Sequence, residues 1–540
     1  MYPEDHSYLL VLLSLSGAFC VIYLLRAGLR SSLLDICGPK SSSFWLGNEG
    51  DIKYQKEVGD VEFAWMKEFG SVWKTKGCMG EERLSIADPK ALQHVLQTSG
   101  YRYPKTAEYR GNVRMVMGDG LVWAHAAQHQ RQRKVMNQSF TVAQLQSFLP
   151  LFLRHSSKLA QKLETVIDGR ERSHEMIVNV QTWLARATLD VIGEAGFDYQ
   201  FRSLDNVRNP LSDMYDGLVR DSTLYPHKWD VLFRSFWKFC PPSPLWFVRY
   251  LPSRGYRQFR QYQDFIRAHG HSAIKDFEGE PKGNDVLSVL RRANHAEEGA
   301  LQLSELEVVD QISTILLAGH DTSATSMAWW LFELSKHSEW QTRVREEIRA
   351  ARQQVAQRGV NQFSISDLEG MIILQATMKE AMRLHPIVWQ LPRVAGQDDI
   401  LPLADPITTK SGNLVTSIPV RRGQVIDIRI SAYNRNPAIW GADAGEWNPE
   451  RFMDSDKNTV SLGSFSNLLN FSAGVRRCIG FRFALIEMQA MVSTLLEAFE
   501  FSLPPQIPEN MVERKPSGIM LPMSIGHQGS WMGLHVKRAR

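Results

Sequence analysis

Hydrophobic and polar positions follow one another along this chain mainly with the period of a helix. The longest apolar run comes first: Ser7 to Leu25 is 19 residues without a charge, mostly Leu, Val, Ile and aromatic. At 1.5 Å per residue such a helix is about 28 Å long, close to the ~30 Å apolar thickness of a bilayer. Beyond it, helical periodicity predicts elements over 123–138, 142–167 and 179–194. Ser304-Glu-Leu-Glu307 has the form of a capping box and opens a long helix running to about Lys336. The middle of that helix, Ile312–Ala318, is nearly all apolar and has to be buried. A further helix is expected over Ser366–Leu384, halted by His385-Pro386. Strand signals are fewer. Leu84–Ala87 ends at Asp88-Pro89 and precedes a short helix over Lys90–Gln97, and residues 418–430 alternate, with Ile426, Ile428 and Ile430 against Asp427 and Arg429. Residues 60–75 mix both signals, Arg110–Gly120 reads as a loop with Met115 and Met117 among glycines, and 434–452 is turn-rich. The expected fold is mainly α with small β-sheets, behind a single N-terminal transmembrane helix.

Charge orients that first helix. Glu4 and Asp5 precede it while Arg26, Arg30 and Lys40 follow, which puts the body of the chain on the cytosolic side. A cleaved secretory signal would carry its basic residues in front instead. The domain plan is therefore 1–6 lumenal, 7–25 anchor, 26–59 hinge around Gly38-Pro39-Lys40-Ser-Ser-Ser, and 60–540 one cytosolic domain. Composition (44% hydrophobic, 22% charged) is that of a globular protein with a large core, and a net charge of +4 is too slight to argue for nucleic acid. The five cysteines, at 20, 37, 78, 240 and 478, are scattered and form no CxxC pair. Neither a disulfide framework nor a zinc site is encoded, and a reducing compartment is expected. Between 200 and 280, Trp229, Phe233, Phe236, Trp237, Trp246, Phe247 and Tyr250 fall among prolines. They read either as an aromatic core insert or as a surface that dips into a membrane interface.

Three stretches carry candidate chemistry. In Phe471-Ser-Ala-Gly474-Val-Arg476-Arg-Cys478-Ile-Gly480 a lone cysteine stands at the mouth of an apolar helix. Unpaired N–H groups and the positive end of the dipole favour its thiolate there. Such a sulfur can ligate a metal, attack an electrophile, or pack as a small hydrophobe. Glu380-Ala-Met-Arg383 sets an acid and a guanidinium on one helix face, among Ile372, Ile373, Met378 and Met382. Buried charges need partners, and Arg451 in Pro449-Glu450-Arg451-Phe452 is a candidate third member. Ala318-Gly319-His320-Asp321-Thr322 places a glycine, an acid and a hydroxyl inside the buried part of the long helix, which is costly unless used.

Taken together and in this order, these motifs resemble the cytochrome P-450 family. Phe471-x-x-Gly474-x-Arg476-x-Cys478-x-Gly480 is similar to its haem-binding signature, Glu380-x-x-Arg383 to its helix motif, Pro449-x-Arg451-Phe452 to its meander, and Ala318-Gly319-x-Asp321-Thr322 to its oxygen-activation motif. The resemblance runs from about 60 to about 525, with the anchor of the microsomal type ahead of it and flanking phrases most similar to fungal members. It implies haem b with Cys478 as axial thiolate ligand of the iron. It implies His129, Arg133, Arg393 and Arg476 as partners of the haem propionates, although the family often has Trp where His129 stands. Phe471, Gly474 and Gly480 would shape the cysteine loop, and Glu380, Arg383 and Arg451 would form a structural network supporting it. Thr322 would hold a water on the oxygen side of the haem and Asp321 would relay protons inward, while His320 is expected to be packed.

The implied activity is a monooxygenase placing one oxygen atom from O2 into a lipophilic small molecule, such as a terpenoid or another secondary metabolite. Substrate contacts are expected from Arg110–Leu121, the aromatic 200–250 stretch, Ile312–Ala318, Ile387–Leu391 and about Ser517–Leu521. No GxGxxG follows a strand, so electrons from NADPH would come through a separate cytochrome P-450 reductase, with cytochrome b5 as an optional second donor. A basic face with Arg131, Arg133, Lys134 and Arg477 would dock the acidic partner. The implied location is the endoplasmic reticulum membrane. Two rival readings stay open at this point: a haem-thiolate isomerase that rearranges peroxides, and a haem protein without turnover. Relatives of the first kind commonly lack the acid–alcohol pair present at Asp321-Thr322.

Overall fold

The computed structural model describes residues 32–169, 175–205, 226–240, 245–275, 285–295, 301–453 and 462–540. The expected anchor at 7–25 lies outside them. Among the described residues no helix is long and apolar enough to cross a membrane.

Helix dominates. The main helices in chain order are α1 (Asp60–Phe69), α2 (Ala107–Met117), α3 (Ala126–Met136), α4 (Val142–Asp168), α5 (Val180–Phe197), α6 (Arg254–Lys275), α7 (Glu305–Lys336), α8 (Ser338–Gln357), α9 (Ile372–Leu384) and α10 (Phe481–Ala498). The 32-residue α7 is the axis of the molecule, about 48 Å long. It starts where the capping box predicts: the Ser304 hydroxyl accepts from Glu307 N–H, and the Glu307 carboxylate accepts from Ser304 N–H. Ile312, Ile315 and Leu316 are buried with Trp329 and Trp330 in one core that also takes in α4, α5 and α10. Gly319 lets α7 lie close to α5, since a Cβ there would stand 2.8 Å from the Ile192 side chain.

The sheets are small, as expected. The largest has the order β1 (Val72–Lys76), β2 (Glu82–Ile86), β7 (Val425–Arg429), β4 (Gln390–Val394), with β2 and β7 parallel and the other pairs antiparallel. Its alternating isoleucines face a second core with Leu84, Ile86, Ile426 and Ile428. A three-stranded sheet joins β3 (Glu175–Asn179) and β8 (Phe499–Ser502) across β11 (Gly533–Arg538). Two hairpins, β5 (Asp399–Thr408) with β6 (Leu414–Val420) and β9 (Val512–Lys515) with β10 (Leu521–Ser524), complete the set.

Three local expectations change. Arg110–Gly120 is largely helical: α2 is capped by the Thr106 hydroxyl, which accepts from Tyr109 N–H, and it ends only at Gly118. The expected helix over 366–384 breaks at Met371, and the Glu347 carboxylate of α8 accepts from the Ile373 and Leu374 amides to start α9 afresh. The mixed signal at 60–75 resolves into α1, a break at Gly70, and β1. The stretch read as a hinge packs against the domain over its described part, with Leu33, Ile36, Ile52 and Val58 buried.

The aromatic stretch divides. Trp237 is buried, whereas Trp229 (77% exposed), Phe247 (69%) and Tyr250 (56%) face outward. Trp45 and Trp229 border the same shallow groove.

Candidate active site

The cysteine loop sits between the two cores. Cys478 N–H donates to Phe471 O at 2.8 Å and Arg477 N–H to Gly474 O at 3.1 Å, closing a tight loop two residues before α10 begins. Gly474 adopts φ +66°, and a Cβ there would fall 1.9 Å from Leu96 O, so the loop is pressed against the 94–98 turn in a way only glycine permits. The thiol faces a cavity and is otherwise enclosed. Burial pushes its pKa up, while the Gly480 N–H and the nearby Arg133 guanidinium pull the other way.

Behind the loop lies the ion network expected from its sequence. Glu380 and Arg383 are fully buried and paired in two parallel bonds, Arg383 Nε to Oε2 at 2.7 Å and Nη2 to Oε1 at 2.8 Å. Arg451 Nε adds a third bond to Glu380 Oε1 at 3.1 Å. Arg383 also donates to the carbonyls of Asn434, Ala444 and Glu446, so every face of the guanidinium is satisfied. A side-chain relay then reaches the cysteine loop. Asn434 Nδ2 donates to Asn470 Oδ1 at 2.9 Å, and Asn470 Nδ2 to Met382 O at 2.7 Å, one residue before Phe471.

The cavity in front of the sulfur measures about 320 Å³. Cys478 and the loop form one side; Ala318, Gly319 and Thr322 of α7 form the other, with Leu121, Val122, Ile192, Ile315, Ile387, Val388 and Leu391 as apolar walls. The Thr322 hydroxyl donates to Ala318 O at 2.9 Å. Asp321 is not among the lining residues, and His320 is packed, with Nδ1 3.0 Å from Leu316 O. Of the expected substrate segments, α7, 387–391 and, from Arg110–Leu121, Leu121 line the cavity; no described residue of 200–250 or 517–521 does. Arg110 and Arg114 point away, onto the Trp123 indole.

Electrostatically the cavity is one-sided. Lys105, Arg133, Arg393, Arg476 and Arg477 line it together with His129, and among the described residues no carboxylate does. These groups depress one another. Burial together with Arg476 brings Arg393 down to about 10, and burial with Arg476 and other cations holds Lys105 well below its usual range. His129 is pushed to about 3 by burial and by Lys105, Arg476 and Arg133, so it is neutral and not one of the cations. The Tyr101 hydroxyl and His129 Nδ1 lie 2.6 Å apart, and the same phenol ring lies under the Arg476 guanidinium. Arg476 Nη2 meets His125 Nδ1 at 2.9 Å, while its buried Nε has no hydrogen-bond partner. Lys105, Tyr109 and Ile192 belong to this site although sequence reasoning passed over them.

A family model for Cytochrome P450 matches residues 38–526. Cytochrome P450 monooxygenase 91 of Postia placenta is 32% identical over 504 residues, covering 89% of this chain and 90% of its own length. Cytochrome P450 monooxygenase 205 of the same fungus is 31% identical (91% and 90% covered), and monooxygenase claP of Ampulloclitocybe clavipes is 28% identical (94% of each). This chain belongs to the cytochrome P450 family and is a haem-thiolate monooxygenase. Its cavity fits the haem that membership implies. A thiol stands at one face, five lysine and arginine side chains without a carboxylate suit the two propionates, and the unpaired Arg476 Nε lacks the acceptor a propionate would bring.

Proposed function

We propose that this protein oxygenates a bulky lipophilic small molecule of the terpenoid or secondary-metabolite kind, drawing electrons from NADPH through a separate reductase. The observation that carries the reading is the cavity itself, which the Cys478 sulfur, Thr322 of α7 and five lysine and arginine side chains line together. When bound, haem with a cysteinate ligand supplies the activation of molecular oxygen for insertion into a C–H bond.

The chain's own residues do the rest. Cys478 would provide the thiolate ligand; burial alone disfavours its charged form, and the Gly480 amide and Arg133 partly offset that. Arg133, Arg393 and Arg476, with Lys105, would hold the haem propionates; neutral His129 would offer a hydrogen bond instead of a charge. Phe471 and Gly474 set the loop's shape, and Glu380, Arg383 and Arg451 keep it in place through Asn434 and Asn470. Thr322 Oγ1 can leave its bond to Ala318 O and keep a water and a proton at the cavity face. Asp321, beside it in α7, is the carboxylate through which that proton is replenished. Leu121, Ile315 and Leu391 exclude bulk water and favour an apolar substrate.

On the outer surface, Lys134 is exposed for an acidic donor protein, the reductase or cytochrome b5, while Arg477 borders the cavity. Arg131 instead spends its charge on Glu307, and Arg133 on the cavity. The exposed Trp45, Trp229, Phe247 and Tyr250 favour contact with a bilayer surface, as expected of an enzyme at the endoplasmic reticulum. The test is reconstitution with reductase, NADPH and O2 against a panel of terpenoid and other lipophilic metabolites. A product heavier by one oxygen atom, lost in Thr322→Ala with continued NADPH consumption, is expected. Turnover with organic peroxide alone, and none with reductase, contradicts it.

A further inference from the structure

The turn after α2 is fastened to α7 by an unusual number of polar contacts for a surface loop. Asp310, buried in the second turn of α7, accepts the Asp119 N–H on Oδ2 at 2.7 Å. Its neighbour Gln311, fully buried, accepts the Leu121 N–H on Oε1 at 3.1 Å. Gly120 lies flat against the same surface: a Cβ there would stand 2.2 Å from Thr314 Oγ1 and 2.7 Å from Asp310 O. Gln132 of α3 donates to Asp119 O from the other side, and Lys105 donates to Val122 O. Leu121 and Val122, the residues so held, are the part of this turn that lines the cavity.

We propose that Asp310 and Gln311 are specificity-determining positioning residues that clamp the 118–122 turn onto α7, and so fix how much room the cavity has beneath Leu121 and Val122. This rests on reading the cavity as the substrate site. Neither residue lines the cavity; both act through backbone amides of the wall. Because an acceptor oxygen is what each amide requires, an asparagine at 310 preserves the clamp and an alanine abolishes it. Adding a methyl group at 120 pries the same seam apart from the opposite side.

The experiment compares D310A, D310N and G120A with the wild type as haem-loaded proteins. Hydrogen exchange of the 115–123 peptide reads the clamp, and the Soret shift on titration with imidazole and with triphenylmethylimidazole reads the cavity. Loss of a hydrogen bond to a buried carboxylate should speed exchange about tenfold or more in D310A and G120A. It should also change the affinity ratio of the bulky to the small azole by about tenfold, with D310N within about threefold of wild type. G120A carries the test where D310A fails to fold. Unchanged exchange in the variants that fold, D310N matching D310A, or faster exchange with an unchanged azole ratio would each overturn the proposal. A wild-type protein that shows no Soret shift with either azole instead sinks the reading of the cavity, while exchange still judges the clamp.

Discussion

His125 and His129 stand among Lys105, Arg133, Arg476 and Arg110, and burial with these neighbours pushes them to about 4 and about 3. The folded chain therefore refuses protons that the unfolded chain takes up near the ordinary value of 6.5, so stability is lost as pH falls from 6.5 toward those values. Propionates placed among the cations relieve part of this. The melting temperature of the haem-free protein should fall more steeply between pH 6.5 and 4.5 than that of the loaded protein, and equal slopes would contradict the propionate assignment. His385, near 4 through burial, adds a slope common to both. Glu487 behaves oppositely. It is fully buried on α10, and burial raises it to about 8 against the opposing pull of a hydrogen bond from Ser323. Its ionisation costs stability progressively as pH rises from 4.5 through 8. Glu487→Gln should stabilise the protein by roughly 3 kcal/mol at pH 7.5 and much less at pH 5. A melting temperature lowered equally at both values would refute this.

At the scale of elements, legibility in the sequence depended on how local the cause is. The start of α7 was readable because both halves of its capping box, Ser304 and Glu307, are three residues apart. The break before α9 was not, because its cap is Glu347 from another helix. Likewise α2 was hidden by Gly111 within it and by Gly118 and Gly120 after it: Trp237, far along the chain, packs on Gly111, where a Cβ would meet the indole at 2.9 Å. The cysteine loop and the Glu380–Arg383 pair carry motifs and were found. Lys105, Tyr109 and Ile192 carry none, and only the fold brings them to the cavity. The ion network yields a firm expectation. Glu380→Gln strips the carboxylate from two arginines, one of them fully buried, at a cost of about 3–5 kcal/mol. Soluble yield and retained haem should both collapse, more than for Arg451→Lys; a change in stability below about 1 kcal/mol would show that the pair supports nothing.

For the whole molecule, two cores meet at the cysteine loop, and the cavity between them concentrates positive charge that only an anionic ligand relieves. The proposed bilayer-resting face would carry the exposed Trp229 and Phe247. Trp229→Ser with Phe247→Ser, in protein lacking residues 1–31, should weaken binding to phospholipid vesicles on the order of tenfold without altering haem content. Undiminished vesicle binding would remove that face from the account. The central claim is that Cys478 is the thiolate that holds the haem iron. The ferrous protein under carbon monoxide tests it most directly: the wild type should show the red-shifted Soret band of thiolate ligation and Cys478→Ala should lack it, whereas a Cys478→Ala protein that keeps the band would contradict the claim.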